Sequence, residues 1–84
     1  MTYIQVITLL VKLKNLVKGI YCKVEECEDC TITHIIFEDE IVNDKNVKDF
    51  LNTLDDYCYA GCLGYYDFND FIVETHMASE WWDD

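Results

Sequence analysis

The chain has 84 residues, 51 % of them apolar, with twelve aromatic rings from six Tyr, four Phe and two Trp, and no Pro; this excludes a disordered linker and leaves room for one compact domain over 1–84. Its 17 acids against six lysines and no arginine set a formal charge of −11, which argues against direct binding to DNA or RNA, because phosphates demand cationic partners. No apolar run is long enough to span a bilayer and the lysines follow the first apolar run, so neither a membrane span nor a secretory leader is expected and the chain reads as cytoplasmic.

Residues 4–18 read as a first helix. Val6, Leu9, Leu10, Leu13, Leu16 and Val17 form a wide apolar face, and Gly19 is the expected C′ residue beyond it. The β-branched Ile4, Val6 and Ile7 leave an extended first turn open. Ile20–Glu25 alternates in character, with Ile20, Cys22 and Val24 on one side and Tyr21, Lys23 and Glu25 on the other, as a strand does. Glu26–Cys30 is a charged turn, and the β-branched run Thr31–Phe37 completes a hairpin. Glu38, Asp39 and Glu40 follow as a carboxylate cluster; Ile41 and Val42 either form a very short third strand or lead into the next helix.

That helix, Asn43–Gly61, is the clearest element. Val47, Phe50, Leu51, Leu54, Cys58 and Cys62 recur at steps of three and four, with Asn43 or Asp44 placed to cap the start. Residues 70–77 fit two patterns. Phe71, Val73, Thr75 and Met77 alternate as a strand, while Asp67 and Asp70 resemble an acidic helix start; the unbroken run through Glu80 favours a helix. The expected fold class is α+β, with a two- or three-stranded antiparallel sheet against two or three helices.

Charge is segregated along the chain. Lys12, Lys14, Lys18 and Lys23 stand in residues 1–24 without an acid, and every acid falls in 25–84 beside Lys45 and Lys48 alone. Such a polyanion favours a partner with a basic surface, which long-range attraction would bring in faster. Among aromatic residues, Tyr57, Tyr65 and Trp82 are candidate anchors, since rings beside carboxylates suit a protein-binding surface.

Other chemistries lack a pattern. Five cysteines cannot all pair, and without a leader free thiols are expected. Cys27-x-x-Cys30 with Cys58-x-x-x-Cys62 could complete a tetrahedral zinc site, although Cys58 and Cys62 equally suit the apolar stripe as small core residues. No cofactor is therefore expected. Acidic neighbours would raise the Cys27 thiol pKa, opposite to what a redox centre needs. His34 and His76 accompany no nucleophile or oxyanion-hole motif, so each reads as a surface or partly buried polar residue, and no enzyme is indicated. Glu38/Glu40, Asp55/Asp56 and Asp67/Asp70 follow no EF-hand loop.

In layout, a leading helix, the Thr31-Ile-Thr-His-Ile-Ile-Phe37 strand, the acid-rich segment after it and the Val47–Leu54 helix resemble small phage-encoded DNA-mimic inhibitors, particularly anti-CRISPR proteins that block Cas9. The cysteines have no evident counterpart in that family. The resemblance implies stoichiometric occlusion of a nucleic-acid-binding protein, Cas9 or another defence nuclease, inside the host cell and without turnover. Glu38, Asp39, Glu40, Asp49, Asp55, Asp56, Asp67 and Asp70 are the candidate phosphate substitutes, being placed at predicted strand and helix ends or on the outer helical face.

Overall fold

The computed structural model describes residues 2–54 and 63–81. Helix α1, Tyr3–Leu16, opens with a reciprocal capping box: the Gln5 amide donates to Thr2 Oγ1 (3.2 Å), and the Thr2 amide donates to Gln5 Oε1 (2.8 Å). Two of the otherwise orphaned amides are satisfied in this way, which offsets the weak helix preference of Ile4, Val6 and Ile7. Val17 is already extended, with its N–H donated to Leu13. Gly19 therefore is not the helix-terminating residue that the spacing suggested. It has φ +98 and turns the chain into the sheet, its carbonyl accepting the Glu38 amide at 2.8 Å.

Strands β1, Ile20–Glu26, and β2, Thr31–Phe37, form the expected hairpin, from Ile20↔Phe37 to Glu26↔Thr31. The Cys27 amide closes its turn on the Cys30 carbonyl at 2.9 Å. After β2, Asp39–Ile41 winds into a 3₁₀ turn, so no strand forms at Ile41–Val42 and this segment leads into the next helix. Helix α2, Lys45–Leu54, starts where Asp44 Oδ1 accepts the Asn46 amide at 2.8 Å. Val47, Phe50, Leu51 and Leu54 are all buried, as their spacing predicts. The predicted continuation to Gly61, with Asp55, Asp56, Tyr57, Cys58 and Cys62, lies outside the described residues.

Strands β3, Tyr65–Asp67, and β4, Phe71–Met77, complete a mixed four-stranded sheet in the order β1-β2-β4-β3. The α+β class holds, but the sheet has four strands and is not purely antiparallel: β2 and β4 run parallel. The helix favoured for 70–77 does not form. Ladders on both edges of β4 satisfy its backbone, and Phe71, Val73 and Thr75 are buried on one face; that alternating burial suits a strand and would scatter around a helix. A short α3, Ala78–Trp81, follows directly.

Residues α1 and α2 place on the sheet determine its two faces. Val6, Leu10, Leu13, Val47, Phe50, Leu51 and Leu54 join Ile20, Ile35, Phe37, Tyr66, Phe71 and Val73 in one core. Each large side chain buried there is worth roughly 1.5–3 kcal/mol of transfer free energy. Cys22 and Val24 share that face yet are exposed, because only Ile20 of β1 is covered. Leu16, placed by its spacing on the apolar face of the first helix, is 69 % exposed. On the opposite face project Tyr21, Lys23 and Glu25 of β1, Ile32, His34 and Ile36 of β2, and Ile72, Glu74 and His76 of β4, with α3 packed over β2 and β4. Among the described residues no helix is long and apolar enough to cross a membrane.

Candidate functional site

Among the described residues, the carboxylates singled out by sequence do not gather on one face. Glu38, Asp39 and Glu40 follow the C-terminal end of β2, around a cleft also lined by Tyr21, Ala78 and Ser79. Asp70 precedes β4, whose start pairs with the start of β2. Seven-residue parallel strands thus hold Asp70 and the Glu38–Glu40 cluster at opposite ends of the sheet, about 20 Å apart. Asp49 lies on α2 beside a shallow groove formed with Leu9, Lys12, Leu13 and Leu16 of α1.

Several of these acids have structural work of their own. Glu38 accepts the Tyr21 hydroxyl proton at 3.0 Å, and this hydrogen bond, followed by the carboxylate's charge, raises the Tyr21 pKa. Asp39 accepts the Ser79 amide at 3.1 Å, holding the first turn of α3. Asp67 accepts the Asn69 amide at 2.8 Å and stabilises the β3–β4 turn, where Asn69 has φ 74. The side chains of Glu40, Asp49 and Asp70 make no hydrogen bond or ion pair among the described residues. Tyr65 is half-exposed on β3, as an anchor would need to be. Asp55, Asp56, Tyr57 and Trp82 lie outside the described residues.

No described carboxylate is buried, and none contacts a lysine ammonium among the described residues; the ion-pair geometry found joins Glu25 to His34. The lysines of α1, Lys12 and Lys14, are exposed. The anionic charge is thus left facing solvent.

Cys27 and Cys30 sit in the β1–β2 turn and gather no third ligand among the described residues. The Cys27 thiol pKa is raised, first by loss of solvent around it and then by Glu25, Cys30 and Asp29. A protonated thiol is neither a good nucleophile nor a ready metal ligand. Cys58 and Cys62, the other half of the zinc alternative, lie outside the described residues.

Among the described residues, a polar cluster that sequence reasoning passed over lies on the face opposite the core. His34 is buried; its Nε2 lies 3.0 Å from Glu25 Oε1, and its Nδ1 lies 3.1 Å from His76 Nε2. The parallel register pairs His34 with Glu74 and Ile36 with His76, so His34 faces both polar residues of β4. Trp81 covers the two imidazoles, with ring centroids 5.0 Å from His34 and 4.7 Å from His76. Lys23 reaches over the same indole at 5.8 Å. Burial, then the neighbouring His34, lowers the His76 pKa against the opposing pull of Glu74 and Glu80. The sequence signal was the pair Glu74-x-His76, which shares one face only in an extended strand.

No protein-family profile, curated protein or solved structure matches this chain at a significant level.

Proposed function

We propose that this protein is a stoichiometric inhibitor which offers carboxylates in place of DNA phosphates to the nucleic-acid groove of a bacterial defence nuclease. The observation that carries the reading is that the described carboxylates face solvent without a lysine partner. Unpaired surface charge retains its long-range field, which steers a basic groove toward the protein and away from nucleic acid itself. Glu40, Asp49 and Asp70, with no hydrogen-bonding duties, are the first candidates for phosphate substitutes. Glu38, Asp39 and Asp67 contribute while also holding local structure; Asp55 and Asp56 belong to the same proposed set. Tyr65, with Tyr57 and Trp82, supplies apolar contact at the rim. The action is occlusion without turnover, in the cytoplasm of the host cell, and Cas9, restriction enzymes and repair enzymes all present grooves of the required sign.

A second reading is an acidic adaptor that binds outside the partner's nucleic-acid site. It is favoured by Ile4 and Val11, seven residues apart and 76 % and 53 % exposed on α1, a helix that carries no carboxylate of its own. Competition separates the two. Guide-loaded Cas9 and a panel of restriction and repair nucleases, each bound to labelled duplex, are titrated with the protein at several salt concentrations. A mimic displaces duplex from one of them, weakens steeply as salt rises, and loses about tenfold or more in affinity in a folded Glu40→Gln/Asp49→Asn/Asp70→Asn variant. A nuclease that binds the protein equally well with its duplex in place establishes the adaptor.

A further inference from the structure

We infer that His34 Nδ1, His76 Nε2 and the Glu74 carboxylate form a binding site for a divalent transition-metal ion of the zinc class. One ligand atom from each lies within 4.8 Å of the others. The two nitrogens are 3.1 Å apart. Ligands about 2.0–2.1 Å from a tetrahedral zinc stand roughly 3.3 Å from each other, so an ion needs the two nitrogens to part by about 0.2 Å and turn toward a common point, with the Glu74 carboxylate closing in from within 4.8 Å.

One pair of tautomers meets this requirement. An ionised Glu25 only accepts hydrogen bonds, so its 3.0 Å contact places the proton of a neutral His34 on Nε2 and leaves Nδ1 bare. Without metal, His76 donates Nε2–H into that lone pair. With metal, the His76 proton moves to Nδ1 and both bare nitrogens aim at one point. Glu25 then orients and enriches His34 as an outer carboxylate does in many zinc sites. Glu74 is the second, separate indication. It is half-buried beside the histidines and makes no hydrogen bond among the described residues, although its donor-seeking oxygens lie within the cluster.

The surroundings fit a cation. Two neutral imidazoles and one carboxylate suit zinc and its neighbours better than magnesium or calcium, which prefer all-oxygen sites. Trp81 shields the rings from water on one side, and three protein ligands leave one coordination position open. The site joins β2 to β4, strands distant in sequence, so bound metal ties together the parallel pair at the centre of the sheet.

The test uses untagged full-length protein stripped with chelator and titrated with Co²⁺, then with Zn²⁺. Expected are one Co²⁺ per chain with the intense visible absorption of a tetrahedral site, its displacement by Zn²⁺, and a higher thermal midpoint with metal. His76→Gln abolishes the absorption, Glu74→Gln weakens binding, and Glu25→Gln weakens it by about 10–100-fold, each with an unchanged circular dichroism spectrum. Cys27→Ser/Cys30→Ser leaves the spectrum and stoichiometry intact. The inference is overturned by absence of one-to-one binding at micromolar metal, by binding that survives His76→Gln and Glu74→Gln, or by binding lost with the cysteines. Should His76→Gln unfold the chain, Glu74→Gln and Glu25→Gln still decide. None of these readouts depends on a nuclease partner, so failure here leaves the inhibitor reading standing, and the reverse.

Discussion

Gly19 shows how one missing side chain permits the α1–β1 junction. Its φ of +98 is a conformation L residues avoid, and an added Cβ would come within 2.8 Å of Glu38 Cγ. Gly19→Ala is therefore expected to cost about 1–2 kcal/mol, read as a lower midpoint in urea with the slope unchanged. A variant as stable as the parent would show that the turn relaxes freely. Leu54 tests the core in the same way. It is 1 % exposed at the end of the described part of α2, and Leu54→Ala should cost about 2–5 kcal/mol through lost transfer energy and the cavity left behind. Val47→Asp, at a fully buried position, strands a charge without a cation and should be at least as damaging. Equal thermal stability of both variants with the parent would remove α2 from the core.

Among the elements, β4 is the one whose environment overrides its local signal. It lies between β2 and β3, and Thr75 fastens it further: Thr75 Oγ1 accepts the Gly64 amide at 2.6 Å and donates to the Gly64 carbonyl at 3.2 Å. Thr75→Val preserves shape and the 2.8 Å bond from the Thr75 amide to the Gly64 carbonyl but leaves the Gly64 amide without its acceptor, so a loss of about 1–3 kcal/mol is expected. Backbone chemical shifts should report strand for 71–77 in parent and variant alike; helical shifts there would contradict the sheet. At the other end of the chain the capping box carries the start of α1. Thr2→Ala should cost about 0.5–2 kcal/mol, measured as faster amide exchange in the first turn and a lower melting point. Unchanged exchange would mean the first turn needs no cap.

At the scale of the whole molecule, a charge of −11 without lysine–carboxylate pairs among the described residues means net self-repulsion. Added salt screens this, so sodium chloride should stabilise the fold by about 0.5–1 kcal/mol, a rise in Tm of roughly 2–8 °C for a domain of this size. A Tm that falls with salt would show that favourable charge contacts dominate instead. The same salt should weaken capture of a basic partner, so stability and binding move in opposite directions, a pairing that a generic loss of fold cannot imitate.

Local periodicity was enough for α1, the β1–β2 hairpin and the buried stripe of α2, because each is written within a few turns of contiguous sequence. Composition and the placement of lysines were enough for the acidic character of the chain. The C-terminal strand was not legible, since Phe71–Met77 carries both periods and only the long-range ladders to β2 and β3 choose between them. The same choice governed the histidine cluster. Glu74 and His76 lie on one face only once their segment is extended, and His34 meets them only because β2 and β4 run parallel in that register. Sequence by itself determined the fold class, the buried stripe of α2 and the sign of the net charge, all of which follow from local pattern and charge; the tertiary structure alone decided the fourth strand, which apolar residues of α1 and β1 are covered, the internal duties of Glu38 and Asp39, and the convergence of two imidazoles and a carboxylate, because each depends on contacts between residues far apart in the chain.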